Sequence, residues 1–242
     1  MKDNFSKISS EYSRFRPGYP PDLFNYLKTE IKAFDVAWDC GTGTGQIAVP
    51  LSKMFLTVYA TDISANQLQN ATSRENIIYS LQPAEITNFQ PEMFDLITVG
   101  QAIHWFNFDK FYKEVNRTIK ENGLIAVMGY GLVNTNPETQ EVINHLYHKI
   151  LDLFWDPERK FIEQKYSTIP FPFNEIKPPA FHTTLNWDFQ HLIGYLRTWS
   201  AVQHFKKQNG FDPVEKIIPL LERSFGRGGE VTFPILLRLG RK

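Results

Sequence analysis

The chain has 242 residues, enough for one α/β domain with a sizeable core and an insertion. Lys plus Arg and Asp plus Glu both number 26, with no long basic run, so nothing in the sequence favours nucleic acid as a partner. Cys40 is the one cysteine and excludes an internal disulfide framework; residues 1–15 lack the apolar centre of a secretory signal, and no apolar stretch approaches the ~18–20 residues of a membrane span, so a soluble cytoplasmic protein with no membrane partner is expected.

In chain order, Pro20-Pro21-Asp22 opens a helix that runs to about Ala33, with proline and an acidic residue in its first turn. Val36–Cys40 reads as a first strand, with a helix from about Thr44, and Leu56–Thr61 as a second. Ser64 has the character of an N-cap for a helix to about Ser73, and Ile77–Ser80 is a short third strand. The apolar run Phe94–Gly100 suits a fourth strand covered on both faces, and a helix over 109–120 leads through Asn122-Gly123 into a fifth, Leu124–Met128. Val142, Leu146, Ile150 and Leu153, spaced by three and four, predict helix within 137–166. The Pro- and Phe-rich residues 169–182 read as irregular. A strand at Thr183–Phe189, helices over 190–205 and 213–224, and a last antiparallel strand over 230–240 complete the reading. The β-α alternation specifies an α/β fold, a doubly wound, Rossmann-like, seven-stranded and mostly parallel sheet in one domain. Residues 131–182 are expected to form a helical lid and residues 1–19 a segment covering the ligand.

The most informative stretch joins the first strand to its helix: Asp39-Cys40-Gly41-Thr42-Gly43-Thr44-Gly45-Gln46. Alternate glycines let backbone approach a ligand, and the helix N-terminus favours an anionic group. A dinucleotide fingerprint needs glycine three places after Gly43, where Gln46 stands, which weighs against a nicotinamide-dependent oxidoreductase. Asp62 ends the second strand 21 residues beyond Gly41, the spacing at which a carboxylate accepts from ribose hydroxyls. Cys40 reads as a small buried residue in this turn rather than a nucleophile. Gln101 leaves the fourth strand at the carboxyl edge that such sheets use for ligands.

The Asp-x-Gly-x-Gly-x-Gly turn resembles the first motif of class I S-adenosylmethionine (SAM)-dependent methyltransferases. With Tyr12-Ser-Arg-Phe-Arg16-Pro-Gly-Tyr19-Pro, Gln101-Ala-Ile-His104-Trp105-Phe and Tyr195-Leu-Arg197-Thr-Trp199-Ser, nearly the whole chain resembles the small-molecule branch related to trans-aconitate methyltransferase. The resemblance implies SAM as cofactor, released as S-adenosylhomocysteine, and a small-molecule acceptor of the carboxylic acid class. It implies that Asp39 acts on the amino group directly or through water, that Gly41, Gly43 and Gly45 pack along the ligand, and that Ile63 lies against adenine. Relatives often carry an acid where this chain has Pro83; Ala84 backbone and the Glu85 side chain are the substitutes, although Glu85 reads equally well as a solvated helix-start residue. Arg16, with Tyr12 and Tyr19, is a candidate to close over the cofactor and Arg197 to clamp an acceptor carboxylate beside Trp105 and Trp199, although either arginine reads at least as well as a surface or structural residue.

His104 is the candidate general base by its near-neutral pKa, set against an orienting or structural role, since a carboxylate acceptor is already ionised. The six histidines show no ligand spacing and no metal is expected. A non-catalytic SAM-binding protein stays open as an alternative, as does a monomer or a homodimer. The aromatic residues, 14% of the chain and concentrated after residue 145, serve a core or the wall of an apolar pocket.

Overall fold

A computed structural model describes residues 14–242. The first helix, α1 (Pro21–Glu30), buries Leu23, Phe24 and Leu27 on one face. Four parallel strands follow, β1 (Val36–Cys40), β2 (Thr57–Asp62), β3 (Ile77–Leu81) and β4 (Phe94–Gly100), with β5 (Ile119–Tyr130) parallel to β4. The last strand, β8 (Gly228–Arg241), runs antiparallel to β5. Its other side carries β6 (Asn174–Ile176) and β7 (Phe181–Asp188), which pair with different parts of β8 and so share one sheet position. The order β3-β2-β1-β4-β5-β8-β6/β7 therefore has seven positions, mostly parallel, as the alternation predicted. Lys177-Pro178-Pro179-Ala180 separates the two pieces of the outer strand, because proline gives a ladder no N–H.

Short helices cross between the strands: α2 (Ala48–Ser52), α3 (Ala65–Gln69) and α4 (Phe108–Thr118). The Ser64 hydroxyl caps α3 by accepting from the Gln67 N–H at 3.2 Å. α2 begins four residues later than expected, since Gly45 at φ +88° cannot belong to a right-handed helix. β6 was not anticipated: three residues embedded in a Pro- and Phe-rich stretch carry no usable alternation. The helical span 137–166 is broken into α5 (Pro137–His145), a π turn (Leu146–Ile150), a 3₁₀ turn (Asp152–Phe154) and α6 (Arg159–Glu163). Pro157 holds the preceding residue out of the helical region and sets that last break. The helix over 190–205 divides into α7 (Phe189–Arg197) and α8 (Ser200–Asn209), and α9 (Ile218–Phe225) precedes β8. The cause of that division is local. Thr198 Oγ1 donates back to the Tyr195 carbonyl at 2.6 Å, and Arg16 captures the carbonyl of Thr198 at 3.1 Å.

The sheet is buried on both faces. Trp38, Phe94, Ile97 and Val99 face one cluster, while Ala37, Leu96 and Val58 face another with Leu23 and Leu51. A third cluster under the C-terminal half holds Tyr147, Trp187, Tyr195, Trp199 and Phe233, so many of the late aromatic residues are core. No helix among the described residues is long and apolar enough to cross a membrane. Phe94 is fully buried with its ring 5.0 Å from that of Phe89 and 5.6 Å from that of Trp38. Phe94→Ala should cost about 3–5 kcal/mol of unfolding free energy, measured by urea denaturation. A loss below 1 kcal/mol would show that this aromatic layer does not anchor the sheet.

Candidate active site

The carboxyl ends of β1, β2 and β4 open into a cleft lined by Tyr19, Asp39, the loop Gly41–Thr44, Gln46, Ile47, Asp62, Ile63, Ser64, Gln67 and Gly100–Ala102. The loop's path is fixed by two features. Gly41 takes φ +69°, and a Cβ there would stand 2.7 Å from Ala102 Cβ, so only glycine fits. Asp62 then ties the loop to the end of β2: Oδ2 accepts from the Gly43 N–H and Oδ1 from the Ser64 N–H, each at 2.9 Å.

Asp39 is buried beneath this loop. Its Oδ2 accepts from Thr42 Oγ1 at 2.6 Å and its Oδ1 from Thr98 Oγ1 at 2.8 Å. Burial outweighs these hydroxyls and raises its pKa from 3.8 to about 6. Gln67 of α3 lines the cleft, and its amide oxygen is buried without a hydrogen-bond partner among the described residues. Sequence reasoning did not single out Gln67; its spacing from the Ser64 cap was the available signal.

Gln101 adopts φ +52° at the end of β4. Three bonds hold it there: its N–H donates to the Met128 carbonyl at 2.9 Å, Nε2 to the Tyr130 carbonyl at 3.1 Å, and Tyr166 Oη to Oε1 at 3.4 Å. A non-glycine residue kept left-handed by its surroundings is a mark of functional sites.

Gln101 and Trp105 also border a second chamber, lined further by Arg16, His104, Trp155, Asp156, Arg159, Ile162, Trp199 and Ser200. The chamber therefore takes its walls from the N-terminal segment, the β4 loop, the broken helical stretch and the α7–α8 junction. His104 is buried, and burial, helped by the charge of Arg159, lowers its pKa from 6.5 to about 3. With a pKa that low the neutral ring is a weak proton acceptor, which works against the base role and leaves hydrogen bonding. Arg159 and Trp155 were missed because the sequence offers nothing to distinguish them from surface residues of a helix.

The predicted site residues divide clearly. Asp39, Gly41, Gly43, Asp62, Ile63 and Gln101 line the cleft, and Gly45 at φ +88° completes the turn beside them. Trp105 and Trp199 line the chamber, and so does Arg16, which is not among the residues lining the cleft. Arg16 donates from Nε to Thr198 Oγ1 at 2.8 Å and lies over the Tyr195 ring. Tyr12 lies outside the described residues. Two expectations need correction. Glu85 does not line the cleft: its carboxylate accepts from the N–H of Asn107, the cap of α4, at 3.0 Å, and Ala84 is packed in the core. Arg197 lines neither cavity; it pairs with Asp212 at 2.8 Å and with Glu215, pinning α7 to the turn before α9. No group of three His, Cys, Asp or Glu side chains placed to hold a metal occurs among the described residues.

Over residues 38–127 the chain matches the family described as Methyltransferase domain. It is 33% identical to a Dictyostelium discoideum protein named as a methyltransferase, across 99% of this chain and 95% of that one. It is 28% identical, over 54% of its length and 47% of the other's, to a Saccharomyces cerevisiae protein named as a SAM-dependent methyltransferase. Among solved structures, one from Anaeromyxobacter dehalogenans described as a type II methyltransferase shares 38% identity at a TM-score of 0.87, covering 94% of this chain and 98% of that one.

Two outcomes follow from this geometry. Asp39 binds its proton more tightly folded than unfolded, so its contribution to stability falls as pH rises from 3.8 to about 6, by about 3 kcal/mol in all. Asp39→Asn removes that term and should gain on wild type in urea unfolding between pH 4.5 and 7.5; a constant difference would place the carboxylate in a wetter site. Arg197→Ala should lower stability by at most ~1 kcal/mol and leave S-adenosylhomocysteine affinity unchanged in calorimetric titration, whereas a weakened affinity would return Arg197 to the site.

Proposed function

The chain belongs to the class I SAM-dependent methyltransferase family, and from that premise we propose that it methylates a small carboxylic acid held in the second chamber. The residues of the cleft fit the donor. The glycine turn gives backbone room, Asp62 stands at the ribose position, and Gln67 offers an unmatched buried acceptor to a ligand N–H or O–H. Asp39, with its two threonine donors, keeps negative charge available beneath the turn for the ligand's amino group. Glu85 is not assigned to adenine, since its carboxylate accepts from the Asn107 N–H. Bound there, SAM supplies a sulfonium-activated methyl group that needs no covalent help from protein.

The observation that carries the acceptor class is the composition of the chamber. Two arginines and a neutral histidine, with one aspartate, border the space that shares Gln101 and Trp105 with the cleft. A carboxylate suits such a space and needs no general base, because it is ionised at neutral pH. That agrees with a His104 whose pKa is pressed down to about 3. The residues then act by placement: Gln101 and Trp105 hold the boundary between donor and acceptor, and Trp155, Ile162 and Trp199 exclude water. This acceptor class is the one implied by the trans-aconitate branch that the four motifs resemble. The broken helical stretch 137–166 serves as the lid, since Trp155, Arg159 and Ile162 all come from it.

Thermal unfolding with S-adenosylhomocysteine, NADH or NADPH tests the donor. A ligand at ~100 times its dissociation constant adds about 2.7 kcal/mol, several degrees for a chain of this size. Stabilisation by S-adenosylhomocysteine alone is expected; stabilisation by a nicotinamide nucleotide alone would overturn the proposal.

A further inference from the structure

The chamber's two arginines differ in how much hydrogen-bonding capacity they retain. All three nitrogens of Arg16 are engaged: Nε and Nη2 donate to Thr198 and Nη1 to Tyr130 Oη, with the guanidinium over the Tyr195 ring. Arg16 is a strut that holds the α7–α8 junction. The Arg159 side chain makes one hydrogen bond among the described residues, from Nε to Tyr147 Oη at 2.8 Å. Tyr147 in turn donates to Glu163 Oε1 at 2.6 Å, so that carboxylate is already in use. Trp155 lies 4.9 Å from the guanidinium and its indole N–H donates to the Tyr147 carbonyl at 3.1 Å. One edge of Arg159 is thus fixed by Tyr147 and Trp155, and the two terminal amino groups have no acceptor among the described residues.

A second observation points the same way. The His104 ring, 6% exposed, makes no hydrogen bond among the described residues, and its Nδ1 is buried without a partner. A buried polar atom left unmatched is destabilising, and a ligand group bound there removes that cost. Its ring plane lies beside that of Tyr166, 6.1 Å away, so the imidazole is held in place while its nitrogens stay unclaimed. Asp156 borders the same chamber on the side of His204, 3.9 Å from that ring's Nδ1.

We propose that Arg159 determines acceptor specificity: its terminal amino groups bind the acceptor's carboxylate as a fork, and the His104 ring hydrogen-bonds the same ligand. This rests on the methyl-transfer reading and names the residues that choose the acceptor. A planar guanidinium fixed at Nε presents two parallel N–H groups, the geometry a carboxylate accepts bidentately. His104 chooses its tautomer on binding, because no protein group dictates it. Tyr147 is a positioning residue that aims the fork.

Trp105, Trp155 and Trp199 all line the chamber, so tryptophan fluorescence reports its occupancy. Protein saturated with S-adenosylhomocysteine is titrated with hexanoate, benzoate and phenylacetate, with their primary amides, and with hexylamine and benzylamine. At least one carboxylate should saturate and its amide should not. Arg159→Gln should weaken that carboxylate about 10- to 100-fold, the range of a lost charged hydrogen bond, with Arg159→Lys in between and S-adenosylhomocysteine stabilisation unchanged in both. Equal binding of carboxylate by Arg159→Gln, amides binding as well as acids, a preference for amines through Asp156, or no carboxylate binding by a protein that S-adenosylhomocysteine does stabilise would each overturn the proposal. Absence of S-adenosylhomocysteine stabilisation would remove the methyl-transfer reading, and this assignment with it.

Discussion

The site depends on one carboxylate that spans two strand ends. Asp62 accepts from the Gly43 N–H in the first loop and the Ser64 N–H in the second, so β1 and β2 present their loops as a single surface. Charge-assisted bonds to backbone N–H groups are shorter and stronger than neutral ones. They are also directional, which is what a loop with three left-handed glycines needs, since glycine contributes no rigidity of its own. Beneath that surface Asp39 shares two threonine hydroxyls and is kept from water. The cleft floor therefore combines a fixed shape with a charge held at some cost.

The second level of organisation is the way the later part of the chain returns to this floor. β8 inserts antiparallel beside β5, which brings α7 and α8 under the carboxyl edge with the broken helices across it. Arg16 fastens the α7–α8 junction from the N-terminal side by binding the carbonyl that the helix break releases. The chamber has walls from four parts of the sequence because each of these breaks turns a side chain inward. Regular helices through 137–166 and 190–205 would have carried Arg159 and Trp199 elsewhere.

The parallel half of the fold was readable in the residues. β1 and β4 follow their apolar runs, and the Ser64 cap and the glycine turn are local features that need no tertiary context. The chamber was less legible for a physical reason. Whether an arginine clamps a ligand or an acid depends on what tertiary folding brings to it, and Arg197 met Asp212 while Arg159 met a tyrosine. Neither sequence neighbourhood differs enough to tell them apart. Glu85 was misassigned similarly, because a carboxylate near a strand end serves equally to cap the next helix. His104 lines the second chamber, but its protonation follows from burial, which motif spacing does not reveal.

The divided outer strand governs how the molecule meets its own copies. An unpaired sheet edge is a template for another chain, and proteins restrain it by shortening or interrupting it. With Pro178 and Pro179 between β6 and β7, a foreign strand could not extend a continuous ladder along that side. The opposite edge has no such interruption: β3 is an unbroken strand with Ile78 45% and Leu81 59% exposed. The β3 edge is thus the one left open to strand addition, at the opposite side of the sheet from β6 and β7.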